Sequence, residues 1–278
     1  MTNPPDALAP HLPGEAERLY GALARDARYG HYVRIPERIC RCLDYFKVAA
    51  RRRAVSERLH AYYLFVGVVD DLLDSGRVEA GAEILERLGD ERDDPDGGAH
   101  VSRARLVTEV LKRHIGEDVR ASVSLKLGEL YGAVLGERAA GTVQEYIVQR
   151  RAVGRLTAEL SYLLIRPLLA RECEDLRRFL QEVGEVGCLV DSTIDLRSDG
   201  RLGLIGFKPT LGAHLRLAAR TLGEGLRVSL KHPRLSGLFL EGLCDDLLDR
   251  LRARPPRTDA ESDLAESAKG DYACERAA

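Results

Sequence analysis

The stretch YYLFVGVVDDLLD, Tyr62 to Asp74, decides how the rest of the chain is read. From Tyr62 to Val69 it carries no charge for two helical turns, and a helix that is apolar on every side is one that is buried on every side. Three carboxylates then follow in five residues. On a helix Asp70 and Asp74 share a face, with Asp71 about 100° round from them. Acids at a helix C-terminus oppose the macrodipole, and uncompensated charge at the edge of an apolar interior is costly. A bound Mg2+, which takes carboxylate and phosphate oxygens together, resolves that cost. The same letters recur at residues 245–249, in EGLCDDLLDRLRAR. There Leu243, Leu247, Leu248 and Leu251 form one apolar stripe, and Asp246 and Asp249 meet Arg250 and Arg252 at helical spacing. That second copy reads as the solvated face of an amphipathic helix.

Outward from Tyr62–Asp74 the spacing stays helical. Leu125, Leu127, Leu130, Val134 and Leu135 recur at threes and fours, as do Leu156, Leu160, Leu163 and Leu164, and the Asn-Gly hairpin signal is absent. The expected class is all-α, with a single domain over residues 25–252. Pro36 suits the first turn of an opening helix. Further helices are expected over 54–74, 78–89, 101–115, 117–140, 142–170 and 172–199, with two or three more to residue 252. The proline-rich residues 1–24 are expected to be loose, and the polar stretch 253–278 to be a disordered tail. Residues 89–102 hold several acids, but Pro95 and Gly97-Gly98 deny them a fixed geometry.

Composition closes off several functions. The 278 residues hold 42 basic and 44 acidic side chains, a formal charge of −2, which is not the footprint of a nucleic-acid-binding protein. No apolar run of about 18 residues offers a transmembrane helix. The start, MTNPPDALAPHLPGEAE, has no basic apolar leader, so a cytoplasmic location is expected. Of the six cysteines only Cys40 and Cys42 are close, and all are read as reduced, mostly structural thiols.

A second acidic set lies in GCLVDSTIDLRSDGRLG, where Asp191, Asp195 and Asp199 recur at four-residue spacing after an apolar lead-in. Like charges on one helix face repel by a few tenths of a kcal/mol per pair unless cations sit among them, so "~0.3 kcal/mol" is the scale. Two carboxylate clusters at the mouth of an apolar interior suit a diphosphate with an apolar tail. Mg2+ would bridge clusters and diphosphate and stabilise charge as the C–O bond breaks.

In these residues the chain resembles the squalene/phytoene synthase family of the all-α isoprenoid synthases, from about Tyr45 to Lys208. YFKVAARRRAVSERLHAYYLFVGVVDDLLD is similar to the family's first aspartate segment, and VGEVGCLVDSTIDLRSDGR to its second. The resemblance implies a helical bundle around a central apolar cavity, with both motifs at its mouth. It implies that Asp70, Asp74, Asp191, Asp195 and Asp199 are associated with Mg2+, with Asp71 supporting, and that Tyr63 sits beside the reacting carbons. Asp70, Asp74, Asp195 and Tyr63 are thus the expected catalytic set. Departures matter too. Where the family has an arginine three residues before the first aspartate, this chain has Gly67. Where it has small residues beside the passing chain, this chain has Arg150 and Arg151, following Tyr146 in a Tyr-x-x-x-Arg-Arg pattern that also looks like the diphosphate-sensing arginine of bacterial terpene cyclases. A guanidinium there can hold phosphate with two bonds and replace the lost anchor. Arg201 and Lys208 are further phosphate candidates, and Tyr63, Phe65, Gly67, Tyr146 and Tyr162 candidates for the prenyl or acceptor pocket.

Three reactions share ionisation of a prenyl diphosphate donor and differ in what traps the cation. The favoured expectation is a small aromatic acceptor, as in squalene-synthase-like proteins of bacterial secondary metabolism that prenylate carbazole-type rings. A second isoprenoid diphosphate, condensing head to head, needs two anchored diphosphates and a passage that Arg150 and Arg151 would narrow. A terpene cyclase would want aromatic faces, each giving about 0.5–2 kcal/mol of cation–π attraction, yet the chain has no Trp and only five Phe beside ten Tyr. A non-enzymatic helical binding protein is the remaining alternative, and it predicts no Mg2+-dependent diphosphate binding. His60, His114 and His214 are read as core or surface residues.

Overall fold

The computed structural model describes residues 14–74, 103–237 and 241. They carry eight α-helices: α1 Gly14–Arg25, α2 Gly30–Tyr45, α3 Arg52–Asp74, α4 Arg103–His114, α5 Glu117–Ala139, α6 Val143–Ile165, α7 Glu174–Leu202 and α8 Leu211–Lys231. Short 3-10 turns lie at Ala27–Tyr29, Arg166–Leu168 and Pro233–Leu235. Among the described residues the one extended pairing is an isolated bridge between Ala50 and Leu169, so the all-α expectation holds. The eight helices belong to one compact unit ending at Ser236, and a second begins at Gly237. No helix among the described residues is long and apolar enough to cross a membrane. Residues 1–13, the expected helix over 78–89, the acid-rich loop, the second DDLLD copy and the tail lie outside the described residues.

α6 and α7 form the main packed pair, with α5 on α6, α8 on α7, and α3 set against α2, α4 and α6. Two glycines make the α6–α7 crossing close. A Cβ on Gly154 would stand 2.1 Å from the Gly184 carbonyl oxygen, so backbone meets backbone there. Leu160 and Leu164 of α6 and Leu176, Leu189 and Leu196 of α7 are fully buried, each worth roughly 1.5–3 kcal/mol of burial. Both helices have defined ends. Thr142 accepts from Glu145 N–H while the Glu145 side chain reaches back to Thr142 N–H at 3.0 Å, a capping box that starts α6. Gly203, at φ 71°, takes the left-handed conformation that stops α7.

α3 is apolar and buried as its sequence demands: every residue from Ala61 to Phe65 is buried, as are Val68 and Leu73. Three expectations need correction. Most of residues 14–24, expected to be loose, form α1, which runs Gly14–Arg25 and buries one face through Tyr20 and Leu23. Pro36 lies inside α2 rather than in its first turn; the helix begins at Gly30, and the proline leaves the Tyr32 carbonyl without its intrahelical donor. On α5 the buried stripe is Val119, Val123 and Leu127, while Leu125, about 200° round from Leu127, is exposed.

Candidate functional site

α3 delivers Asp70 and Asp71 at its exposed end, and the start of α2 meets them. The Tyr32 hydroxyl donates to Asp70 Oδ2 at 2.8 Å, and the Tyr29 hydroxyl donates to Asp71 Oδ2 at 3.2 Å. Arg28 adds an ion pair to Asp71 at 3.8 Å. Gly67 makes the room. A Cβ at that position would stand 2.7 Å from Tyr32 Cδ2 and 3.1 Å from Tyr29 Cδ1. The place where the resemblance calls for an arginine is thus covered by tyrosine rings from the preceding segment. Neither tyrosine stood out in the sequence; the available signal was the Tyr29-x-x-Tyr32 spacing beside an otherwise unexplained glycine in a buried helix.

α7 lays Asp191, Asp195 and Asp199 along the rim of the core, each part-buried, while Leu189, Ser192 and Leu196 turn inward. Burial pushes the Asp199 carboxyl up to about 6, and the charges of Asp195, Glu137 and Asp70 push the same way against Arg150. Burial also holds the Tyr32 hydroxyl far above its ordinary range, reinforced by Asp70 and Asp191. Asp70 on α3 therefore lies within electrostatic reach of Asp199 on α7, and Asp191 within reach of the tyrosine that holds Asp70. The two acidic segments share one neighbourhood.

Arg150 of α6 is the cation of that neighbourhood. Its Nη1 donates to both carboxylate oxygens of Glu137, at 3.1 and 3.2 Å, and its Nη2 to the Cys188 carbonyl at 3.4 Å. The side chain is 19% exposed and that of Glu137 13%. Among the described residues the buried Arg150 Nε has no hydrogen-bond partner. Burial raises the Glu137 carboxyl, opposed by Arg150. Burial likewise pushes the Cys188 thiol up to about 12 and the Tyr146 hydroxyl up to about 12. The Tyr146 ring meets Phe207 edge-on, with centroids 5.5 Å apart. Tyr63 shares a 2.8 Å hydrogen bond with Ser161, is pushed up to about 12 by burial, and feels Cys188. Glu137 and Cys188 are the further members that sequence reasoning passed over. Glu137 comes from α5, and nothing local marks it as Arg150's partner.

Other expected residues go elsewhere. Arg151, about 100° round α6 from Arg150, bonds Glu185 at 2.8 Å and reaches Glu224 at 3.8 Å, in an ion-pair network with Arg155, Arg220 and Arg227. The Tyr162 oxygen accepts the Cys173 N–H at 3.0 Å, which ties down the start of α7. Phe65 is a core residue, and Arg201 and Lys208 are exposed at the end of α7 and in the loop after it. Asp74 ends α3, its side chain outside the described set. Cys40, Cys42, Cys173 and Cys188 are free thiols. Among the described residues no three His, Cys, Asp or Glu side chains form a group that could hold a metal ion.

Fold and site together define an all-helical domain in which a largely buried arginine bonds Glu137 of α5 and lies within electrostatic reach of Asp191 and Asp199 of α7. No protein-family model, curated protein or solved structure matches the chain.

Proposed function

We propose that the protein is a Mg2+-dependent prenyltransferase that ionises an allylic prenyl diphosphate and passes the prenyl group to a small aromatic acceptor. The observation that supports this reading is that Asp70 of α3 lies within electrostatic reach of Asp199 of α7, and that Arg150 lies within reach of Asp191 and Asp199. Acids kept only for solubility would stand in water, whereas burial first, and neighbouring acids second, push the Asp199 carboxyl up to about 6.

The residues suit Mg2+ in donor chemistry and in charge. Carboxylate oxygens are the ligands a hard cation takes, and burial, with Asp195, Glu137 and Asp70 adding to it against Arg150, holds the Asp199 carboxyl up. Asp70 and Asp71 of α3 and Asp191, Asp195 and Asp199 of α7 would have to close on the ion, since among the described residues no three of them stand as a ready group. Bound there, it would neutralise the diphosphate as it leaves. Tyr32 would keep Asp70 oriented. Arg150 would exchange Glu137 for diphosphate oxygens, with its unpartnered Nε supplying a further donor. Tyr63 and Tyr146 would offer ring faces to the prenyl cation. Arg150, standing where the resemblance has a small residue, would narrow the passage of a second prenyl chain, which favours a small acceptor over head-to-head condensation.

The test is incubation of the full chain with geranyl, farnesyl and geranylgeranyl diphosphates and Mg2+, with and without aromatic acceptors, read by mass spectrometry. Prenylated acceptor is expected, and Asp70→Asn or Asp195→Asn should abolish it with the fold intact. Squalene, phytoene or a cyclic hydrocarbon formed without acceptor would replace this reading with another reaction of the same site. No Mg2+-dependent binding of any diphosphate would end the enzymatic reading altogether.

A further inference from the structure

α8 carries an apolar face that the described fold leaves uncovered. Its inner side, Leu217, Thr221 and Val228, is buried, and Thr221 hydrogen-bonds Thr193 of α7 at 2.9 Å. On the opposite side Leu211, Leu215, Leu222, Leu226 and Leu230 are each between 60% and 73% exposed. At about 100° of turn per residue, the five fall in one sector roughly 100° wide. Five leucines in line are not the scattered apolar residues that every surface carries.

The order of residues along this face is symmetric. Reversing α8 about a point between Arg220 and Thr221 places Leu211 on Leu230, Leu215 on Leu226 and Ala219 on Leu222. A two-fold interface demands that kind of self-complementarity, since residue i must meet residue j while j meets i. A different partner imposes no such condition. We propose that α8 pairs antiparallel with α8 of a second copy, leucine against leucine in that register.

Area and charge agree. The face offers on the order of 600 Å² per copy, close to the roughly 800 Å² per partner of a standard interface once neighbouring side chains join. Of the cations on α8, Arg220 and Arg227 share Glu224 at 2.7 and 2.8 Å, Lys231 holds Glu182 at 2.6 Å, and exposed Arg216 lies nearest the leucine face. In the proposed register Arg216 falls opposite Gly225 of the second copy, so the two copies' nearest cations do not meet.

Light scattering on the full chain at micromolar concentration should give twice the 30.7 kDa mass. L215E/L226E should give the single-chain mass with its circular dichroism unchanged, since both positions are exposed. L215E/L226K should recover the doubled mass, because the register sets each new acid against the partner's new base; a parallel pair would set like charges together. A single-chain mass for the unchanged protein overturns the proposal, as does a doubled mass that survives L215E/L226E. A single-chain mass for L215E/L226K overturns the register and with it the two-fold pairing. Co-sedimentation of a monomeric chain with phosphatidylcholine vesicles would identify lipid as the occupant instead.

Discussion

Replacing Gly154 with alanine tests the packing that holds the candidate site together. The new Cβ would stand 2.1 Å from the Gly184 oxygen, 2.5 Å from its carbonyl carbon and 2.9 Å from Glu185 N, where ordinary contact begins near 3.4 Å. Every obstacle is backbone, so no rotamer can move aside, and α6 and α7 must part by roughly 1 Å to restore contact distance. Such overpacking costs about 1–3 kcal/mol and more when backbone must shift. Alanine returns at most about 1 kcal/mol through its better helix propensity. A net loss of about 2 kcal/mol is expected, or ~4–8 °C in the melting temperature for a domain of this size. Gly187 provides the control. It lies on α7 one turn beyond Gly184, exposed, with nothing within 4 Å of an added Cβ, so Gly187→Ala should gain up to ~1 kcal/mol. Thermal and urea melts followed by circular dichroism measure both. A Gly154→Ala midpoint at or above wild type, or movement of both variants in the same direction, would refute the close crossing.

Arg150→Ala should cost about 3–5 kcal/mol in urea melts because it strands the mostly buried Glu137 carboxylate, whereas Arg151→Ala leaves Glu185 and Glu224 with other arginines and should cost less than ~1 kcal/mol; equal losses would mean that the two arginines are not in different surroundings. Tyr32→Phe keeps the ring over Gly67 and removes only the hydroxyl from Asp70, so stability should fall by less than ~1.5 kcal/mol while Mg2+-dependent binding of inorganic diphosphate weakens in calorimetry; unchanged affinity would deny Tyr32 its orienting part. Asp199 titrates near 6 in the folded chain against an ordinary 3.8, so the folded state holds the proton more tightly than the unfolded state. The stability linked to this group is therefore greatest at low pH and is lost as pH rises through about 6. Asp199→Asn, which does not titrate, should gain on wild type as pH rises through that range and lose the advantage below pH ~4. A pH-independent difference between their urea midpoints would refute the upward push that burial and the neighbouring acids give Asp199.

Much of the fold was legible because helices write their environment locally. The uncharged run from Tyr62 to Val69 forecast a buried α3, and the limits expected for the helices now labelled α4 and α5 fall within two residues of those observed. The spacing of Asp191, Asp195 and Asp199 forecast their common face on α7. Leu125 misled because its spacing to Leu130, Val134 and Leu135 is helical whichever side of α5 is buried. Periodicity reports that a face exists, and the neighbouring helices decide whether that face is inside.

The chain by itself determined that it is helical, where its acids cluster, and that Gly67 breaks the pattern it otherwise resembles, since all of these depend on residues within a few turns of one another. Only tertiary structure decided that Tyr32 fills the space over Gly67 and bonds Asp70, that Glu137 rather than solvent meets Arg150, and that Arg151 turns to a separate ion-pair network. Those pairings join residues on different helices, 13 to 38 positions apart. They depend on how closely helices approach, and at the α6–α7 crossing that distance is set by two glycines with no side chain to hold the backbones apart.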